Sequence, residues 1–487
     1  MPPLNRILPM ILAVALFMEN MDSTVIATAL PVIAADLGTS PVALKLALTA
    51  YLVSLAIFIP VSAFMADRFG AKRVFRVAIA VFMAGSLACA VAGSLGAFVG
   101  SRFLQGMGGA MMTPLARLIL VRATPKNDLV NAMAWLTIPA LFGPFAGPPL
   151  GGFITTWFSW HWIFLINLPI GLAGILLATR FLPDTETKDA GTIDWKGFIL
   201  AGLAASGVVF GLSVISLPAL PPVVGVAALV TGIVSGVLYV RHARRATAPL
   251  LDLKLFREPA FRATITGLLL FRIGSGATPF LLPLLFQLSF GMSAFQSGMV
   301  TFAGAGGALV MKFVAAPILR ALGFRTTILL AILSAAGIIA ASALFTGTTP
   351  WLVLVGVLLS GGLARSLFFT SASALTFSGL RPEQAAQATA ISSVNQQVAV
   401  ALGVALAGLI LEATGTFTGN GFDATAFSTA FVLVGLVSAS AVIPFLALPG
   451  EAGAEMSGHR KGQAALQAAA LSPSASSARP LKSRASR

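Results

Sequence analysis

The chain has 487 residues, of which 57% are hydrophobic and only 10% charged, and its mean hydropathy is +0.93. Soluble domains carry about 25% charged residues, so most of this chain has no aqueous surface to offer and its solvent is lipid. The formal net charge of +15 sits mostly in short, one-sided loops between apolar runs, which reports topology and excludes a nucleic-acid partner.

A membrane span needs about 20 mostly apolar residues. By that measure the sequence predicts an all-α integral membrane protein with about 14 transmembrane helices. In chain order they run near 8–31, 43–65, 74–95, 98–121, 131–155 and 162–181, then a middle pair at 197–216 and 222–240. Six more follow near 262–288, 294–316, 326–346, 350–378, 386–411 and 425–447. The first stretch continues through Glu19 and Asp22 to Pro31 without a small-residue cleavage site, so it reads as a retained span and not a signal peptide. The last residues, 450–487, are rich in Ala, Ser and Arg and read as a disordered cytoplasmic tail.

Basic residues give an independent count. Arg6 precedes the first span; Arg68, Lys72, Arg73 and Arg76 follow the second; Arg122 and Lys126 follow the fourth. Arg180, Lys188 and Lys196 follow the sixth, and Arg241, Arg244, Arg245, Lys254, Arg257 and Arg262 follow the eighth. Arg320 and Arg325 follow the tenth and Arg381 the twelfth, while on the other side only Lys45 stands near a loop. An even number of spans with both termini cytoplasmic is the simple solution.

Two sets of six spans around a pair imply a duplication: an N-terminal six-helix half at 1–181, a linker with two extra helices at 182–261, and a C-terminal half at 262–449. The loop Asp67-Arg68-Phe69-Gly70-Ala71-Lys72 is echoed by Arg320-Ala321-Leu322-Gly323-Phe324-Arg325, with Gly and a basic residue at matching offsets. Such repeats let transporters build a midplane site that faces either side.

Ionisable groups inside spans cost about 2.5–3.5 kcal/mol each on insertion scales. Here they include Glu19 and Asp22 in the first span, Arg102 in the fourth, Arg272 in the ninth, Lys312 in the tenth and Arg365 in the twelfth. Glu19 and Asp22 share one helix face, a pair suited to take up a proton on one side and release it on the other. The bland alternative is structural pairing, for example of Asp22 with Arg102. Lys312 can also simply snorkel to the inner surface. The one cysteine, Cys89, allows no intramolecular disulfide, and His161, His242 and His459 lie far apart. No metal site, cofactor or nucleophile–base pair is expected, and an enzyme is excluded on that inventory.

The fifth span carries Gly143, Pro144, Gly147, Pro148, Pro149, Gly151 and Gly152. Glycines every four residues leave a bare stripe for another helix, and the prolines bend the segment. The loop from Asp67 to Arg73 can bridge helix ends and hold one side shut; the alternative is a topogenic basic loop.

Together these motifs resemble the major facilitator superfamily, in its fourteen-span drug:proton antiporter branch, from about Leu8 to Pro449. Met21 to Pro31 is similar to the family's first-span motif, with Ala27 in place of Asn. Ala63 to Arg73 resembles its gate loop: Asp67, Arg68, Gly70 and Lys72 match, while Ala63 and Ala71 depart. Arg102 to Ala110, which includes Gln105, looks like the fourth-span motif whose Arg is assigned to proton transfer. Gly143 to Gly152 resembles the antiporter signature associated with export, and Trp160-His161-Trp162 replaces the usual Arg with His161. Arg272-Ile273-Gly274-Ser275-Gly276 is similar to the MdtD-type group of bacterial multidrug-resistance proteins.

The resemblance implies a proton-coupled antiporter of the bacterial inner (plasma) membrane, a monomer whose partners are protons, a small-molecule substrate and the bilayer. Asp22, alone or with Glu19, would carry the proton and Arg102 would sense it; Asp67, Arg68, Gly70 and Lys72 would form the cytoplasmic gate. Gln105, Arg272, Lys312 and Arg365 are candidate cavity residues. The last three motivate a rival, a dedicated exporter of an anionic metabolite or metal chelate. A passive channel would lack the response to a proton gradient.

Overall fold

A computed structural model describes residues 7–125, 128–183, 193–215, 217, 220–381, 384–418 and 423–448. The tail at 450–487, with Arg6, Lys126 and Lys188, lies outside the described residues. No strand occurs among the described residues. In lipid, backbone polar groups must bond within their own segment, and apolar runs of this length achieve that as helices.

The first group is α1 (Ile7–Asp36), α2 (Lys45–Phe69), α3 (Ala71–Ala90), α4 (Leu95–Ala123), α5 (Leu129–Trp157) and α6 (Trp162–Phe181). The pair α7 (Trp195–Val214) and α8 (Pro222–Ala243) follows. Next, α9 (Pro259–Ser289) ends in a π-helical turn at Leu285–Ser289. The helical run Ala294–Ala341 has 48 residues; at about 1.5 Å per residue it far exceeds a hydrocarbon core of about 30 Å. Gly323, at φ 72° and ψ 168°, breaks it into α10 (294–322) and α11 (324–341). α12 (Trp351–Thr376), α13 (Ala385–Thr418) and α14 (Ala424–Leu446) complete the chain.

Twelve helical runs are long and apolar enough to cross a membrane. Dividing the longest at Gly323 and adding the 29-residue, proline-bent α5 brings the helices of span length to fourteen among the described residues. The echo between the two basic loops has a structural basis. Gly70 stands at φ 85° between α2 and α3, and Gly323 at φ 72° between α10 and α11. Both turns need a left-handed backbone that side chains with a Cβ resist.

Contacts between loops align the helix ends. Asp67 at the end of α2 pairs with Arg122 at the end of α4 at 2.7 Å. Asp194 before α7 meets His242 at the end of α8 at 2.7 Å, and the Asp252 amide donates to Gln387 on α13 at 3.2 Å. All lie in or beside basic loops, so these loops share one end of the bundle, here the basic end.

Buried apolar clusters show how the two groups of helices meet. One large cluster joins Leu30, Ile33, Phe98 and Phe164 to Phe280, Phe286, Phe345 and Phe427 at the opposite, bare end. At the basic end the cores are separate: Leu12, Phe75, Leu115 and Ile119 in one, Leu319, Phe324, Leu375 and Phe445 in the other. The groups α1–α6 and α9–α14 are therefore fused at the bare end and parted at the basic end. They touch along α5/α10, α2/α13 and α1/α9. α7 lies over the α2/α13 seam, and α8 lies outside it, exposing Val226, Val230, Ile233 and Val237.

Candidate functional site

Asp22 is the centre of a buried polar network inside the first helix group. It is 1% exposed, as is Arg102. Arg102 Nη1 donates to Asp22 Oδ2 at 2.6 Å, while Gln105 Nε2 and Asn167 Nδ2 donate to Asp22 Oδ1 at 2.8 and 2.9 Å. Gln105 Nε2 also reaches Ser86 Oγ at 2.7 Å, and Asn167 Nδ2 reaches it at 3.2 Å. Arg102 Nη1 donates to Gln105 Oε1 as well. The guanidinium carbon stands 4.3 Å from the Tyr51 ring centroid, a cation–π contact. A carboxylate satisfied by three donors and a guanidinium resting on an aromatic ring is how lipid-depth charges are kept tolerable.

Small residues let these groups meet. A Cβ on Gly85 of α3 would fall 2.6 Å from Gln105 Cα on α4, so the backbones touch and Ser86 comes within reach of Gln105. The network still has slack: Arg102 Nε, Tyr51 Oη and Asn167 Oδ1 are buried without a partner among the described residues.

Next to this network lies a cavity of about 870 Å³ between the two helix groups, a size suited to a drug-like molecule. Its wall includes Glu19, Tyr51 and Arg102 from one side and Thr301, Lys312, Arg365 and Gln396 from the other. Apolar lining comes from Phe142, Phe145, Leu309 and Phe313, with Phe145 packed on Phe302 at a centroid distance of 4.3 Å. Glu19 accepts from Thr113 Oγ1 at 2.7 Å. Asp22 is not on the wall. Three residues along a helix turn the side chain by about 60° relative to Glu19, enough to place one carboxylate on the cavity and the other behind Arg102.

The predicted cavity residues divide. Lys312 and Arg365 line the space; Lys312 Nζ donates to Thr370 Oγ1 at 3.1 Å, and Arg365 has no charged partner among the described residues. Gln105 is held in the Asp22 network instead, and Arg272 stacks over Phe369 at 4.9 Å, away from the wall. Of the loop residues, Asp67 pairs with Arg122 within its own helix group, Gly70 makes the turn, and Arg68 and Lys72 flank it at the surface.

α5 is wedged between the groups. A Cβ on Gly143 would meet Met21 N and Phe17 O of α1 at 2.9 Å, and one on Gly152 would meet Phe295 Cα of α10 at 2.7 Å. Gly147 and Gly151 press on Thr24, Val25 and Thr28 of α1, while Gly298 of α10 abuts Pro148. Pro144 and Pro148 turn to the cavity.

At the bare end the groups are latched. Lys45 Nζ on α2 meets Glu412 Oε2 on α13 at 2.6 Å, with side-chain exposures of 0% and 9%. Gln287 Nε2 donates to the Thr28 carbonyl at 3.0 Å. Sequence reasoning passed over Glu412, Asn167, Tyr51 and Ser86. Glu412 and Asn167 carried a signal, as polar groups within or bordering apolar runs; Ser86 and Tyr51 carried none.

The Major Facilitator Superfamily profile matches residues 12–404 and again 264–481. The chain is 37% identical to "Probable transport protein HsrA" of Haemophilus influenzae, over 84% of this chain and 88% of that one. It is 33% identical to "Putative multidrug resistance protein MdtD" of Escherichia coli O139:H28, over 91% and 94%. Among solved structures, the nucleoside transporter NupG superposes with TM-score 0.63 at 16% identity, covering 91% of this chain and 99% of its own. The D-xylose-proton symporter does so with TM-score 0.62 at 14% identity, covering 89% and 96%. At such identities the structures speak to the fold alone.

Proposed function

Because the chain belongs to the major facilitator superfamily and is a multi-pass inner-membrane transporter related to multidrug-resistance proteins, we propose that it is a proton-coupled antiporter exporting small lipophilic compounds. The basic end is the cytoplasmic end in this reading, so the parted cores describe a cavity open toward the cytoplasm. The observation that carries the proposal is the arrangement of two carboxylates around one arginine. Glu19 stands on the cavity wall, Asp22 is sealed behind Arg102, and Arg102 touches both Asp22 and the cavity.

A proton arriving at Asp22 neutralises the counterion of Arg102. The guanidinium, already in contact with the cavity and the Tyr51 ring, then turns toward the substrate space or toward Glu19. Release of the proton restores the closed network. Coupling follows because the cavity cannot present the same charge before and after. α5, packed through glycines on α1 and α10, is the surface on which the halves rock. The Asp67, Arg68 and Lys72 loop closes the basic end when they do.

A second reading keeps the fold and changes the cargo. Lys312 and Arg365 place basic groups on the cavity wall opposite Glu19, the one carboxylate lining it among the described residues, which favours an organic anion over a cation. Both readings meet the same test: proton release from energised inside-out vesicles on adding lipophilic cations or organic anions, with Asp22→Asn alongside. Release that cations evoke and Asp22→Asn abolishes supports the first. Release by anions alone, lost on neutralising Lys312 and Arg365, supports the second. A flux indifferent to the proton gradient overturns both.

A further inference from the structure

At the basic end, an open groove of about 590 Å³ runs between the start of α3 and the end of α6. Lys72, Arg73 and Arg76 line its mouth, and Val77, Ala80 and Ile175 continue it along the helices. Arg73 and Arg76 are three apart, so they share a helix face. Arg73 is exposed and makes no hydrogen bond or ion pair among the described residues, and Arg76 Nε is buried with no acceptor. Among the described residues no carboxylate lines the groove; the acidic residue nearest in sequence, Asp67, is engaged by Arg122. Beyond the arginines the lining turns apolar and faces outward, Val77 being 55% exposed.

A groove that is cationic at the helix start and apolar along the helix matches one solvent component of a membrane. A phosphodiester accepts paired hydrogen bonds from guanidinium groups, while the attached acyl chain needs an apolar track running toward the bilayer centre. Arg73 and Arg76 lie within about 9 Å of the start of α3, the depth of a headgroup layer at the edge of the hydrocarbon core. We propose that this groove binds the headgroup of an anionic phospholipid, with Arg73 and Arg76 holding the phosphate and one acyl chain lying along Val77, Ala80 and Ile175. This site is separate from the transport cavity and does not depend on what is transported.

The test uses the purified full chain in detergent, with phosphatidylglycerol, phosphatidylcholine or inorganic phosphate added at equal concentration. Native mass spectrometry reads the bound lipid and a thermal melt reads its effect. Phosphatidylglycerol is expected to be retained and to raise the melting midpoint of the wild type, while phosphatidylcholine and inorganic phosphate do neither. Arg73→Gln/Arg76→Gln lowers phosphatidylglycerol occupancy at least tenfold. A control removing equal charge at the same end, Arg241→Gln/Arg244→Gln, leaves it unchanged. Arg73→Gln alone, at an exposed residue, serves should the double variant not fold. Equal loss in the control reduces the effect to bulk charge and overturns the proposal. So does unchanged retention in the groove variants, or an equal effect from inorganic phosphate.

Discussion

Arg102 Nη1 lies 2.6 Å from Asp22 Oδ2 with both side chains sealed from solvent, yet Arg102 also forms part of the cavity wall. The pair is thus a structural ion pair on one side and part of the cavity surface on the other. Removing one partner of a buried pair strands the other charge, at about 3–5 kcal/mol. Arg102→Ala should therefore lower stability by that order. Asp22→Asn/Arg102→Gln should recover most of it, since neutral amides preserve hydrogen bonds. Both variants should lose proton-coupled transport. Melting curves in detergent beside vesicle flux measure the two effects; a double variant that transports like the wild type would remove Asp22 and Arg102 from the coupling path.

Glu19 faces the cavity, accepts a hydrogen bond from Thr113 and feels the charge of Arg117. Glu19→Gln keeps that hydrogen bond, so folding should change by less than about 1 kcal/mol. Transport should lose much of its dependence on the pH gradient while exchange of substrate for substrate continues. Flux with and without an imposed gradient is the measurement, and an unaltered gradient response would leave Asp22 as the sole carrier.

The Lys45–Glu412 pair joins α2 to α13 at the bare end. Glu412→Gln should weaken closure there and raise the population open to that side. Cys89 is the only cysteine, so Cys89→Ala supplies a background for single-cysteine labelling. In it, Thr28→Cys, on the cavity wall near the latch, should react faster with an impermeant thiol reagent added from the bare end once Glu412 is neutralised. Equal labelling rates would assign the pair to static packing.

Gly151 of α5 abuts Val25 and Thr28. Gly151→Leu must push α1 and α5 apart, at about 1–3 kcal/mol for an overpacked contact, and should stop transport while leaving the Asp22 network able to form. Activity near the wild-type level would show that this contact is not a moving surface.

Asp194 caps α7 from outside the span. Burial pushes its carboxyl up, but the Gly197 and Leu250 amides and the His242 ring at 2.8, 3.3 and 2.7 Å outweigh it and hold the carboxyl below its usual range. A depressed folded value gives stability that is present above the unfolded value of about 3.9 and lost as pH falls through the folded one. Asp194→Ala should cost about 1 kcal/mol at pH 7 for the cap, a deficit that shrinks below about pH 4. Melting midpoints of both proteins across that range check the sign.

The sequence alone determined that the chain lives in lipid as a set of apolar helices and that its basic loops alternate with bare ones, because apolar length and charge placement are one-dimensional properties. It also singled out Asp22, Arg102, Glu19 and the fifth-span glycines, since a charge or a glycine repeat in an apolar run is conspicuous without a partner in view. The tertiary structure decided what those residues touch. Glu19 and Asp22 look equivalent in sequence, but about 60° of helix rotation sends one to the cavity and the other behind Arg102. Gln105 and Arg272 read as cavity candidates, yet packing drew Gln105 to Asp22 and Arg272 to Phe369. Lys45 and Glu412 stand 367 positions apart, and only the meeting of α2 with α13 could make them a pair.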